Sequence, residues 1–196
     1  MRRALRTAGR GAAGFLLGLA IWLGLTEPYD RLLAAVAEPI VRITERPSAT
    51  WLEARGREII VDRADLPPSS PRPGIPADEL TFNIILLATL FAANRGPLAT
   101  RNVVGFLAAS ALLIPVHVAA LISRVEALYA FDFGTWSQVH FGWLARNFWG
   151  TAFHFYRVVG CFAVVFLLWW ACRPPETDEM GKARRRAFSR AARMRR

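Results

Sequence analysis

The chain has 196 residues, with 25 Lys and Arg against 15 Asp and Glu for a formal net charge of +10, yet 54% of it is hydrophobic and its mean hydropathy is +0.26. In a soluble protein such a basic balance would indicate nucleic acid, but here charge is almost absent from four stretches, 12–25, 80–93, 103–123 and about 153–172, and crowds at 2–10, 95–101 and the C-terminal tail. A charge at the bilayer centre costs about 3 kcal/mol or more, so the pattern excludes a soluble nucleic-acid-binding domain and predicts an all-α membrane protein, a bundle of about four transmembrane helices with a small external helix and β-hairpin segment.

Residues 1–28 form a basic cytoplasmic N-terminus and the first transmembrane helix. Gly14-x-x-x-Gly18 leaves a smooth face on which another helix can pack closely. The helix is expected to end near Thr26-Glu27-Pro28, because the residue before a proline is driven away from helical geometry. A basic start and a short apolar core also suit a signal peptide, with Ala35-Val36-Ala37 mimicking a cleavage site. That site lies well beyond the core with Glu27, Asp30 and Arg31 between, so an uncleaved signal-anchor helix is expected.

Residues 29–79 form the larger external segment. Leu32, Val36, Ile40 and Ile43 recur at helical spacing, which predicts an amphipathic helix lying on the outer membrane surface and interrupted by Pro39. Thr50-Trp51-Leu52 and Ile59-Ile60-Val61 flank Arg55-Gly56 as a β-hairpin. Such a hairpin is marginal alone and must lean on other surfaces. Pro67-Pro68 through Pro76 reads as a stiff linker, and Asp78 as an N-cap.

Residues 80–125 are expected to form a transmembrane hairpin, with helices at about 80–93 and 102–124 joined by Asn94-Arg95-Gly96-Pro97. Pro115 should kink the second of these and free the carbonyl of Ala111. Residues 126–152 form an aromatic external segment. Trp136, Val139, His140, Trp143 and Leu144 are expected on one helical face as part of an interfacial belt. Residues 153–173 form the fourth helix and 174–196 a basic tail.

Both termini and the 95–101 turn together hold fifteen of the 25 Lys and Arg but only three of the 15 acids, while the rest of the chain holds ten against twelve. The positive-inside rule then places both termini in the cytoplasm, with the chain crossing the inner (plasma) membrane an even number of times. One Lys against 24 Arg suggests a GC-rich bacterial genome. The tail, including Lys182 and Arg184–Arg186, is expected to attract anionic lipid headgroups.

His154, Arg157 and Cys161 are spaced to share one face of the fourth helix. A thiol protease or transpeptidase needs such a nucleophile, proton carrier and cation. The same residues can equally form a structural polar cluster, with Arg157 snorkelling outward and Cys161 as a small apolar filler. His117 can bond a carbonyl freed by Pro115 or serve a proton or substrate path, and Asn83 can bond across helices. Cys161 and Cys172 are too far apart along one helix for a disulfide. No spacing suggests a metal or other cofactor.

Leu80-Thr81-Phe82-Asn83 through Ala93, the helix bearing His117, and Pro28-Tyr29 ahead of a hairpin-sized external segment together resemble the small membrane proteins associated with exosortase H. The resemblance implies an accessory protein of a bacterial envelope protein-sorting system, with an exosortase-like membrane protein as partner. Exosortases present Cys, Arg and His in that order on different segments. Here His154, Arg157 and Cys161 stand in reverse order on one helix, so the catalytic role is not carried over. The expected function is therefore a non-catalytic multi-pass accessory protein. An intramembrane Cys-dependent protease or transpeptidase using Cys161, His154 and Arg157 is the first alternative, and a subunit of a small-molecule transporter the second. Asn83, Pro115, His117, Arg157, Trp136 and Trp143 are the structural and partner-contact candidates.

Overall fold

A computed structural model describes residues 2–45, 49–65 and 72–174. The linker at Pro67-Pro68 and the basic tail from residue 175 lie outside the described residues. In chain order the elements are α1 (Arg2–Thr44), β1 (Thr50–Arg55), β2 (Glu58–Arg63), β3 (Gly74–Pro76), α2 (Asp78–Thr81), α3 (Asn83–Ala93), α4 (Thr100–Phe131), α5 (Thr135–His140), α6 (Trp143–Phe155), a π-turn (Tyr156–Gly160) and α7 (Cys161–Cys172).

The helix expected to stop at Pro28 does not stop. α1 is continuous for 43 residues through both Pro28 and Pro39. Proline removes one hydrogen bond and crowds the preceding turn, but packing on both sides of each proline overrides that local cost. Before Pro28, Gly14 and Gly18 lie against α3, and Trp22 Nε1 donates to Thr81 Oγ1 at 3.2 Å. After it, Leu33, Ala34, Ala37 and Val41 are buried in the core beneath the sheet.

This continuity changes the external segment. The stripe expected to lie on a membrane surface, Leu32, Val36, Ile40 and Ile43, is exposed on the outward side of α1, while the opposite face is committed to the protein's own core. A 43-residue helix follows about 65 Å of axis, about twice the ~30 Å hydrocarbon thickness. The stripe therefore projects away from the apolar half of the helix.

The hairpin forms as expected, with Thr50 opposite Arg63 and Arg55 opposite Glu58 around a turn at Gly56, whose φ of +64° suits glycine. The end of the expected linker is a strand instead. β3 pairs antiparallel with β2, Ile75 opposite Ile59, giving the order β1-β2-β3. Ile75 and Ile59 are fully buried, which explains why this short piece leaves the linker to join the sheet. Two outward N–H groups of β1 are also taken: Leu52 N donates to Glu38 Oε2 at 3.0 Å and Thr50 N to Glu45 Oε2 at 3.1 Å. Carboxylates at the end of α1 thus close the edge that a bare hairpin would leave open.

Three helices are long and apolar enough to cross a membrane, 4–44, 100–131 and 143–172, in place of the expected four. The remaining one is cut short: α2 and α3 are separated at Phe82, and Ala77, not Asp78, stands at the N-cap of α2. α3 is 11 residues long and covers only about 16 Å. The up-and-down course nevertheless survives. Arg10 Nη1 donates to the carbonyl of Asn94 at 3.5 Å, and a Cβ on Gly105 would meet the Cys172 carbonyl oxygen at 2.3 Å. Residue 10, the 94–100 turn and the end of α7 therefore share one end of the bundle. The sheet, the end of α4 and α5 share the other.

The aromatic segment also departs from expectation. The chain breaks at Phe141-Gly142, so Trp136 and Trp143 belong to different helices. Trp143 is exposed, with Val139, Leu144 and Phe148 exposed nearby in the chain. Trp136 turns inward instead, because it can cover Arg63. The last helix begins at Trp143, ten residues before the expected start, and α4 runs on to Phe131. Pro115 is accommodated within continuous α4.

Candidate functional site

Polar residues from three segments distant in sequence meet in the bundle interior. Tyr29 of α1, Asn83 of α3 and His117 of α4 form one hydrogen-bonded chain, and Tyr156 of the π-turn completes it. Tyr29 Oη lies 2.7 Å from His117 Nδ1, and His117 Nε2 lies 2.8 Å from Asn83 Oδ1. Asn83 Nδ2 donates to the carbonyl of Cys161 at 3.2 Å and toward Tyr156 Oη at 3.5 Å. Tyr156 Oη donates to the carbonyl of Leu80 at 2.8 Å. An amide oxygen can only accept, so Nε2 carries the imidazole proton and Tyr29 donates to Nδ1.

This arrangement answers one expectation and corrects another. Asn83 does bond across helices. His117, expected to use a carbonyl freed by Pro115, instead joins α1 to α3, because Tyr29 and Asn83 present a hydrogen-bond donor and an acceptor at its two nitrogens. Asn83 and His117 are both buried to within 1% of full enclosure. Removing one partner leaves the others unpaired where water does not reach, at about 1–3 kcal/mol. Asn83→Leu is therefore expected to lower the unfolding midpoint of the detergent-solubilised protein more than Asn94→Leu, whose amide sits at the more open end of the bundle and donates to Asn102 Oδ1. Equal midpoints would remove the network from the account.

Beside Tyr29, Asp30 is fully buried, and neither of its carboxyl oxygens meets a hydrogen-bond donor. Such a group is costly and calls for a reason. Among the described residues it is the only carboxyl group in that condition.

His154, Arg157 and Cys161 are not brought together. The π-turn, which contains Arg157 and ends just before Cys161, widens the helix there, a geometry often found at functional positions. Cys161 is 1% exposed and its thiol donates to the carbonyl of Arg157 at 3.3 Å. His154 and Arg157 face the other way and line a cleft of about 350 Å³. Arg157 Nε lies 3.6 Å from Glu79 Oε2 across it. Among the described residues no group of three or more His, Cys, Asp or Glu is placed to hold a metal ion.

Several residues of consequence carry no local sequence signal. Arg63 is packed between the rings of Tyr129 and Trp136, with its guanidinium carbon 4.7 and 4.6 Å from their centroids. Its Nη1 donates to Glu45 Oε1 at 2.6 Å, while Nε and Nη2 grip both oxygens of Asp65 at 2.9 Å. Glu45 also accepts from the Thr50 hydroxyl. This cluster joins the end of α1, the sheet, the end of α4 and α5.

The hydrogen bond and charge from Arg63 hold the Asp65 carboxyl below the usual carboxylate range. A carboxyl whose pKa is depressed on folding stabilises the fold above its unfolded value of about 4, and that contribution is lost as pH falls through the lower folded value. Asp65→Asn should thus flatten the acid limb of the stability–pH profile while costing stability at pH 7. An acid limb unchanged by the substitution would contradict this coupling.

Taken together, the elements define a helical bundle, three of whose helices are long and apolar enough to span a membrane, closed at one end by a small αβ cap, with a buried polar chain at its centre and a charged cleft under the cap. No family model matches this chain, and neither curated proteins nor solved structures provide a match.

Proposed function

We propose that the chain is a non-catalytic, multi-pass accessory protein of the bacterial inner membrane, with both termini cytoplasmic, that docks a membrane-protein partner of an exosortase-type envelope sorting system through the projecting half of α1. The observation that carries this reading is the stripe Leu32, Val36, Ile40 and Ile43, exposed on a helix whose opposite face is locked to its own sheet. Exposed apolar patches of this kind mark interaction surfaces. Because α1 carries the stripe away from its apolar half, a protein surface and not lipid is its fitting cover. The sorting context comes from the resemblance at 80–93 and around His117, and the convergence of Tyr29, Asn83 and His117 gives those segments one shared structural purpose. The seclusion of the Cys161 thiol from His154 favours this reading over a thiol enzyme.

The test is complementation in the native host. Val36→Asp with Ile40→Asp changes exposed positions, where substitutions shift stability by about 0.5 kcal/mol or less. It should abolish sorting-signal removal at unchanged protein level, while Cys161→Ser should preserve it. The opposite pattern, an active double Asp variant and a dead Cys161→Ser, would establish the thiol-enzyme reading in its place.

A further inference from the structure

The cleft under the cap has a composition that the docking reading does not use. Its walls carry Arg124 from α4, Arg157 from the π-turn, Glu79 from α2 and Asp132 just after α4. A second depression of about 510 Å³ shares Phe131, Gly150 and His154 with it and adds Arg146. The two form one trough along α6. Gly150 makes this possible, since a Cβ there would stand 3.0 Å from the Phe131 ring that floors it.

The arginines are held in place by ring faces. The Arg124 guanidinium lies 4.8 Å over Phe153 and that of Arg146 lies 5.2 Å over Phe131. Stacking fixes the plane of a guanidinium while leaving its edge donors free to grip an oxyanion. Among the described residues neither arginine has an ion-pair partner, and the Arg157–Glu79 contact is long and exposed. The formal charges within the first cleft balance, two arginines against two carboxylates. Apolar side chains stand exposed next to these groups in the chain: Phe155, which lines the second depression, and Val158 and Val159, which follow Arg157. A ligand for the first cleft therefore joins a phosphate-like anion to a cation within a few ångströms and continues into apolar chains.

The geometry points to a binding site for the headgroup of a zwitterionic phospholipid bearing a primary amine, with the phosphodiester on Arg124 and Arg157, the ammonium on Glu79 and Asp132, and the acyl chains along Phe155 to Val159. The site rests on the bundle's being embedded in a bilayer and not on any protein partner. It differs from the attraction of anionic lipid to the basic tail, because charge balance within the cleft selects a zwitterion and Arg124 is held against the Phe153 ring.

Native mass spectrometry of the full chain released from nanodiscs containing equal amounts of phosphatidylethanolamine and phosphatidylglycerol tests the assignment. The wild-type chain should retain phosphatidylethanolamine preferentially, and millimolar inorganic phosphate should not displace it. Arg124→Gln with Arg157→Gln should reduce retention by about tenfold or more, while Arg55→Gln at the hairpin tip should leave it unchanged. Preferential retention of phosphatidylglycerol, displacement by free phosphate, or undiminished retention by the double variant would each overturn the site. The competition on the wild-type chain decides the matter even where the double variant fails to fold.

Discussion

Gly14→Leu should unfold the N-terminal half of the bundle. A Cβ at Gly14 would stand 2.3 Å from the Cβ of Ala92 and 2.9 Å from the Ala88 carbonyl oxygen, and one at Gly18 would stand 2.9 Å from the Cβ of Ala88. Two small-residue faces interlock here, Gly14 and Gly18 on α1 with Ala88 and Ala92 on α3. Backbone lies within the clash distance, so no side-chain rotation relieves it and the helices must part. Overpacking ordinarily costs about 1–3 kcal/mol, and a leucine forced between two backbones should reach at least the upper end. Gly24→Ala provides the contrast, because nothing lies within 4 Å of its Cβ position. There the gain in helix propensity should make the change neutral or stabilising by up to about 1 kcal/mol. Unfolding of the detergent-solubilised protein by increasing SDS reads both. Similar midpoints for Gly14→Leu and the wild type would show that α1 and α3 do not pack as described.

Arg63→Met should release the cap from the helices. The Arg63 side chain is 4% exposed and that of Glu45 8%, so the substitution strands a buried carboxylate. Removing one partner of a buried pair costs about 3–5 kcal/mol, more than the intact pair contributes. Methionine retains much of the packing between Tyr129 and Trp136, so the loss reports on charge and hydrogen bonds. Hydrogen exchange should show deprotection of Thr50–Arg55 and Glu58–Arg63 with little change in α3 and α7, because the cap core and the core around Leu87, Leu113 and Val165 are separate clusters. Uniform loosening of both cores would argue against a separable cap. Replacing both members, Arg63→Met with Glu45→Gln, should recover part of the stability.

The parts that sequence exposes are those with local causes. The hairpin follows from β-branched residues flanking Gly56, and the long apolar helices follow from stretches that hold almost no charge. Gly14-x-x-x-Gly18 promised a close helix contact, and the structure identifies Ala88 and Ala92 as the facing residues. Where sequence misled, a local rule lost to tertiary packing. Pro28 and Pro39 are strong punctuation, but the sheet and α3 hold α1 helical through both. The stripe at Leu32, Val36, Ile40 and Ile43 was visible, while the direction it faces was not, because only the fold shows that Leu33, Ala37 and Val41 supply the inner face.

The candidate site divides in the same way. Asn83 and His117 stood out as polar residues within apolar stretches. Their convergence with Tyr29 and Tyr156 depends on helix register and could not be counted off the chain. His154, Arg157 and Cys161 have ideal helical spacing, yet with the π-turn at Tyr156–Gly160 the thiol lies inside and the two basic groups in the cleft. Tyr156 had one legible signal, a lone phenol entering an apolar run. Arg63 had none, since apart from Asp65 its partners come from the end of α1, from α4 and from α5, all distant in sequence.

The cap docking face, the phospholipid trough and the buried chain all depend on one arrangement, a bundle embedded in the membrane with the cap outside and the 94–100 turn inside. Cysteine-accessibility labelling in intact cells, with Cys161 and Cys172 replaced by Ala and single cysteines introduced as Arg57→Cys in the hairpin turn or Arg95→Cys in the helix turn, measures that arrangement directly. The expected result is that a membrane-impermeant maleimide labels Arg57→Cys in intact cells and Arg95→Cys only after permeabilisation. Labelling of both from outside, or of the hairpin turn only from inside, would contradict it.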